Sequence, residues 1–151
     1  MRKGLFPGSF DPFTKGHEAI VYKAVELFDE VIIGIGVNSN KAFLFDLEKR
    51  INHIKELFKN DPKVRVQTYQ SLTVDYCKEI KASHILRGLR NAQDFEYEKT
   101  MAHMNEAISG IETIFFLTDL KYSALSSSLI RDMYLNKADI SNFVSSKELL
   151  Y

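Results

Sequence analysis

Apolar positions along the chain switch repeatedly between two spacings, and the switches predict its elements. Five short stretches read as strands: Gly4-Leu5-Phe6, residues 30–37, Val64-Arg65-Val66, His84-Ile85-Leu86-Arg87 and Thr113-Ile114-Phe115-Phe116-Leu117. Residues 30–37 are a continuous apolar run, as expected of a central parallel strand buried on both faces. Val64 to Val66 alternate and predict a less buried strand. Between the strands, apolar residues recur at helical spacing. Ile20, Ala24, Leu27 and Phe28, with Val21 and Val25, mark a first helix. Leu47, Ile51, Ile54 and Phe58 mark a second, with Asp46 as N-cap and Glu48 in the first turn, where the helix dipole favours a negative charge. His53 falls off that stripe and is expected at the surface. A third helix is predicted from about Thr73 to Ala82, with Val74, Cys77 and Ile80 inward. A long fourth runs from about Asp94 to Ile108, with Tyr97, Met101, Met104 and Ile108 as its stripe and His103 beside it. Ser126-Ser127-Ser128 opens a last one.

This alternation predicts an α/β fold, a single Rossmann-like domain over residues 1–151 with a five-stranded parallel sheet flanked by helices. In such a sheet every strand-to-helix loop lies at the strands' carboxyl edge, where open sheets bind ligands. That edge receives Ser9 to His17, Lys41, Ser71 to Thr73, Arg87 to Arg90, and Tyr122 to Ser128. None of these loops alone carries a metal-ligand cluster or a nucleophile–base pair. Together they supply a histidine, a lysine, two arginines and a serine-rich helix start, which suits the holding of phosphates.

The first of the loops is the most informative. Residues 6–17, Phe-Pro-Gly-Ser-Phe-Asp-Pro-Phe-Thr-Lys-Gly-His, hold two of the three prolines and place His17 on the first turn of a helix. Gly8 lets backbone approach a ligand, and the free amides of the helix start favour an anion there. No structural partner for His17 is evident in the sequence, so it reads either as a phosphate contact or as an ordinary residue beside a Thr14 or Gly16 cap. Arg87 and Arg90, three apart across a glycine, read as holders of two phosphate groups or as solvated surface arginines. Glu98 reads as a surface carboxylate unless it meets a ligand.

Composition removes several alternatives. Lys plus Arg and Asp plus Glu are both 20, so no basic field draws the chain to nucleic acid or membrane. Cys77 is the only cysteine, which excludes an internal disulfide and fits a reducing, cytoplasmic setting. No apolar run approaches a membrane span, and Met1-Arg2-Lys3 leads into no signal-type segment.

Thr14-Lys15-Gly16-His17 resembles the Thr-x-Gly-His signature of the nucleotidylyltransferase superfamily. Arg87-Gly88-Leu89-Arg90, then Asp94-Phe95-Glu96-Tyr97-Glu98 and Ala102-His103-Met104-Asn105, narrow the resemblance to bacterial phosphopantetheine adenylyltransferases. Pro7-Gly8-Ser9-Phe10-Asp11-Pro12 and Leu125-Ser126-Ser127-Ser128 resemble the same family, so the similarity covers nearly the whole chain. It implies an enzyme that transfers the adenylyl group of ATP, carried with Mg2+, to 4′-phosphopantetheine, giving dephospho-coenzyme A and pyrophosphate, and that assembles as a homohexamer. Carried over by position, Ser9, Lys41, Thr73 and Arg87 match the family's phosphopantetheine contacts. Ser9, Phe10, His17, Gly88, Leu89, Arg90, Glu98, Tyr122, Ser123, Ala124, Leu125, Ser126, Ser127 and Ser128 match its ATP contacts. His17 and Lys41 are the implied catalytic groups. Ser9 stands where threonine is usual, Tyr122 where tryptophan is frequent, and Thr73 at a variable position.

Three rivals share parts of this pattern. A related transferase acting on a pyridine mononucleotide or phospho-alcohol lacks the block from Arg87 to Glu98. A non-catalytic nucleotide-binding module leaves the convergence of His17, Lys41 and two arginines unexplained. A class I aminoacyl-tRNA synthetase needs a tRNA-binding domain for which 151 residues leave no room.

Overall fold

The computed structural model describes residues 1–151. Its strands are β1 (Lys3–Gly8), β2 (Glu30–Gly36), β3 (Val64–Tyr69), β4 (His84–Leu89) and β5 (Glu112–Leu117). Between and after them lie α1 (Lys15–Leu27), α2 (Leu47–Leu57), α3 (Thr73–Glu79), α4 (Ala92–Ser109) and α5 (Ser127–Leu135). Short 3₁₀ turns follow at Leu120–Tyr122 and Lys147–Leu150. All strand pairs are parallel, in the order β3-β2-β1-β4-β5. The expected five-stranded α/β sheet is therefore present, with the order reversing at β1.

Side-chain alternation along the strands separates two layers. Phe6, Val31, Ile33, Ile35 and Leu86 turn toward Ile20, Val21, Ala24 and Ile54 of α1 and α2. Leu5, Ile32 and Ile85 turn the other way, onto Val74, Tyr76 and Cys77 of α3. Burial pushes the Cys77 thiol up to about 11, which keeps it an inert core residue. A third cluster, of Phe45, Leu125, Ile130, Ile140, Val144 and Leu150, packs the carboxyl-terminal segment beside α5.

The seam between β1 and β4 differs from the others. Its register contains only Gly4↔His84 and Leu5↔Ile85, whereas β1 pairs β2 from Lys3 to Gly8. Beyond it the Pro7 carbonyl accepts from Arg87 Nη1 at 2.8 Å. The crevice opens above this parting, at the point where the strand order reverses.

Several expectations need correction. α3 ends at Glu79, short of Ala82, and the Asp46 side chain makes no cap hydrogen bond although α2 starts where expected. Leu27 is exposed. The stripe of α4 faces outward: Tyr97, Met101, Met104 and Ile108 are all exposed, and the helix buries no residue. A helix ordinarily turns such a stripe to the core, but here the sheet face beneath is reached by the polar and charged face instead. His53 is not at the surface but fully buried, its Nε2 donating to the Ser145 carbonyl at 2.7 Å. The carboxyl-terminal segment covers it, and apolar spacing within α2 carries no record of that distant cover.

His53 Nδ1 has no hydrogen-bond partner, and burial lowers the pKa from the ordinary 6.5. The unfolded chain therefore binds a proton that the folded chain resists, so stability is full above about pH 6.5 and is lost as pH falls below it. Thermal melts between pH 7.5 and 5 should show this decline, and His53→Gln, which keeps a donor but cannot titrate, should make it shallower, leaving the part due to His17, whose folded pKa is held down to about 3. His53→Leu strands the Ser145 carbonyl and should cost about 1–3 kcal/mol in denaturant melts.

Candidate active site

The turn between β1 and α1 is closely packed. A Cβ on Gly8 would lie 2.8 Å from the Phe10 ring, so only glycine fits. Phe10 adopts the left-handed region, with φ 49, a conformation unusual for an aromatic residue. Thr14 caps α1: its Oγ1 accepts from the His17 amide at 3.3 Å, while its own amide donates to His17 Nδ1 at 2.9 Å. This is a capping box with histidine in the place usually taken by Glu or Gln.

His17 therefore has the structural partners that the sequence did not reveal. Its ring lies among Phe6, Phe10 and Phe13, with centroids 5.1–6.1 Å away. Burial, then the charges of Arg87 and Arg90, hold its pKa down to about 3. The ring is neutral, and because Nδ1 accepts from an amide its proton sits on Nε2. Nε2 is thus a donor, on a ring that lines the crevice.

Two cavities meet in that crevice. The larger, about 830 Å³, is lined by Tyr69, Thr73, Tyr97, Met101 and Asn105 among others. The smaller, about 390 Å³, is lined by Phe10, His17, Gly88, Arg90, Tyr122, Leu125 and Ser126 to Ser128. Ser9, Lys41, Arg87 and Glu98 line both. The structure thus gathers fourteen of the expected site residues around the two cavities, with Thr73 in the larger alone. Leu89, Ser123 and Ala124 line neither cavity. Leu89 is buried in the sheet, and the Ser123 hydroxyl donates to the Leu120 carbonyl at 2.9 Å.

Both arginines are held by carboxylates of α4. Arg87 Nε and Nη2 bond the two oxygens of Glu98 at 2.8 and 2.7 Å. Arg90 Nε and Nη2 do the same to Asp94, at 3.0 and 3.1 Å, and its Nη1 donates to the Leu125 carbonyl. With Pro7 accepting from Arg87, three of each arginine's five N–H groups are engaged, leaving two for a ligand. Neither arginine is therefore a freely solvated surface residue. Glu98 is not a loose surface carboxylate either: its side chain is 12% exposed. Burial alone would raise the Asp94 carboxyl, but hydrogen bonds from the Arg90 side chain and amide hold it below its ordinary value.

Lys41 and Arg131 are the cations of the smaller cavity without a carboxylate within 4 Å. Lys41 Nζ donates to Ser9 Oγ at 3.3 Å, at the junction of the cavities. Arg131 Nη1 donates to the Asp11 carbonyl at 2.9 Å. Sequence reading missed Arg131, although it sits on the first turns of a helix whose serine-rich start was already singled out. It missed Asp11 as well, whose buried carboxylate accepts the amides of Leu44 and Phe45 at 2.8 and 2.9 Å. In the larger cavity, the Thr73 hydroxyl lies 3.0 Å from that of Tyr69. The cleft can bind phosphates through neutral and cationic donors; its carboxylates are engaged with arginines rather than gathered, and no three metal-ligating side chains cluster.

Residues 5–133 match the family model for cytidylyltransferase-like proteins. The phosphopantetheine adenylyltransferase of Flavobacterium psychrophilum is 54% identical over 144 residues, covering 95% of each chain. That of Bacteroides thetaiotaomicron is 44% identical with the same coverage. A solved structure described as a nicotinate-nucleotide adenylyltransferase, from Vibrio parahaemolyticus, superimposes with a TM-score of 0.70, at 20% identity and full coverage of both chains. At that identity it speaks for the fold alone.

The His17 ring should be neutral with its proton on Nε2 at pH 5, as read by long-range ¹⁵N NMR of the free protein. A midpoint near 6.5 would show instead that the cap bond and the burial do not govern it.

Proposed function

Because the chain belongs to the cytidylyltransferase-like family, and within it to the phosphopantetheine adenylyltransferases, we propose that its two joined cavities hold ATP and 4′-phosphopantetheine against each other across Ser9, Lys41 and Arg87. The chain transfers the adenylyl group of ATP to 4′-phosphopantetheine, a step of coenzyme A biosynthesis. The observation that most supports the assignment of residues is the shared lining of the two cavities by cations and hydroxyls.

The attacking group is a phosphate monoester, whose second pKa is about 6, so near neutral pH it needs no general base. One of its oxygens forms a bond to the α-phosphorus as the bond from that phosphorus to the bridging oxygen breaks, and pyrophosphate leaves in line. Catalysis then consists of orientation and of stabilising charge on the equatorial and leaving oxygens. We assign the His17 Nε2 proton to the α-phosphate oxygens. Lys41 and Ser9 receive the incoming phosphate, and Arg87 presents its two remaining N–H groups to the acceptor side while Glu98 fixes its plane. Arg90, Ser126 to Ser128 and Arg131 receive the β- and γ-phosphates, with the amides at the start of α5 contributing. Tyr122 and the backbone of Leu125 lie where the nucleoside would extend, and Gly88 leaves room beside Ile20.

Mg2+ suits this site as a passenger of the triphosphate, since it is commonly bound by substrate phosphates and water with few protein carboxylates; when bound it neutralises phosphate charge. The exposed stripe of α4 supports self-association, and the homohexamer implied by sequence resemblance is the assembly we propose. One catalytic domain over residues 1–151, acting in the cytoplasm, completes the proposal; no helix is long and apolar enough to cross a membrane, and the free Cys77 suits a reducing compartment.

Pyrophosphate release from Mg·ATP should occur with 4′-phosphopantetheine and scarcely with nicotinate mononucleotide or glycerol 3-phosphate. A preference for the pyridine mononucleotide would overturn the acceptor. Arg131→Gln should raise KM for ATP and leave KM for the acceptor unchanged, whereas Arg87→Lys should do the reverse.

Turnover should fall as pH drops below about 6, where the attacking phosphate is protonated. His17→Gln should lower kcat by about 10²–10³ while keeping the midpoint of that acid limb, because His17 does not titrate there. Loss of the limb in the variant would assign it to histidine instead.

A further inference from the structure

Lys41 stands on an exposed loop at the end of a flexible side chain, with no carboxylate to hold it. A lysine so placed samples many rotamers, and ordering one costs free energy. Two residues further on, the Phe43 ring lies 5.4 Å from the Lys41 ammonium nitrogen, within the range of a cation–π contact. The same ring lies 4.1 Å from the guanidinium carbon of Arg50.

Arg50 is only 3% exposed, and its hydrogen bonds go to backbone carbonyls. Its Nε donates to the Phe45 carbonyl at 2.9 Å and its Nη1 to the Ser9 carbonyl at 2.7 Å. One rigid group thus ties the loop after β2 to the loop after β1. Asp11 ties them a second time through the amides of Leu44 and Phe45. The Phe43 ring rests on this fastened frame, so its position relative to Ser9 is set from beneath.

We propose that Phe43, backed by Arg50, is a positioning residue that holds the Lys41 ammonium at the junction of the two cavities. The proposal rests on the role given to Lys41 above. Phe43 has no polar atom with which to act on a phosphate, so its influence runs through the cation it faces. It also lines the larger cavity, where it could simply pack against the acceptor. The two roles differ in one respect: packing against the acceptor persists when Lys41 is removed, whereas positioning of Lys41 does not.

A double-mutant cycle separates them. Phe43→Leu keeps an apolar side chain and loses the ring. It should lower kcat/KM for 4′-phosphopantetheine by about three- to tenfold, with KM for ATP unchanged. Phe43→Tyr, which restores the ring, should restore the activity. In a Lys41→Ala background, Phe43→Leu should have no further effect. An equal loss in both backgrounds, or a tyrosine variant no better than leucine, overturns the proposal. Normal turnover by Lys41→Ala overturns it together with the role of Lys41. A wild-type chain inactive toward 4′-phosphopantetheine would instead sink the reaction itself, which keeps the two failures apart.

Discussion

One hydrogen bond, from the Thr14 amide to His17 Nδ1, sets the chemistry of the cleft. It satisfies an amide at the start of α1, it seats the ring among three phenylalanines, and it forces the proton to the opposite nitrogen. Because the ring is poorly hydrated and two arginines stand nearby, the neutral form is the stable one. A neutral N–H donor requires no compensating anion, and its field is fixed before substrate arrives. In the reaction proposed above, that is the economy of a preorganised site: the donor for the transition state is already part of the helix cap.

The cationic side of the cleft is arranged differently. Arg87 and Arg90 project from the end of β4, and α4 meets them with Glu98 and Asp94, one helical turn apart on its inner face. The carboxylates align the guanidinium planes and leave selected N–H groups pointing away from them. They also temper the charge of a cleft that would otherwise carry four cations at close range. Lys41 and Arg131 remain without such partners. The chain's equal numbers of acidic and basic residues thus conceal a local separation of roles.

The fold was legible because strand and helix spacings are local properties. Residues 30–37 announce a central strand by themselves, and the loops' destinations follow from parallel pairing. The gathering of Ser9, His17, Lys41, Arg87 and Arg90 was legible for the same reason. What was not legible depends on distant partners. His53 is covered by a segment ninety-two residues away, and the stripe of α4 is left exposed. The pairing of Glu98 with Arg87 spans eleven residues and a change from strand to helix, so no helical or strand period predicts it. The neutral state of His17 needed the three-dimensional proximity of Phe6 as well as the local sequence.

Arg87 also closes the parting between β1 and β4, where its side chain supplies the Pro7 carbonyl with the donor that the diverging strand no longer offers. A residue that lines both cavities is therefore a stitch in the sheet. In a genetic screen, changes here would be recovered as unstable proteins and as poor enzymes at once, and abundance could not be factored out of activity. Drift at this position is restrained from two directions. A lineage that relaxed its choice of acceptor would still need some side chain to close the seam.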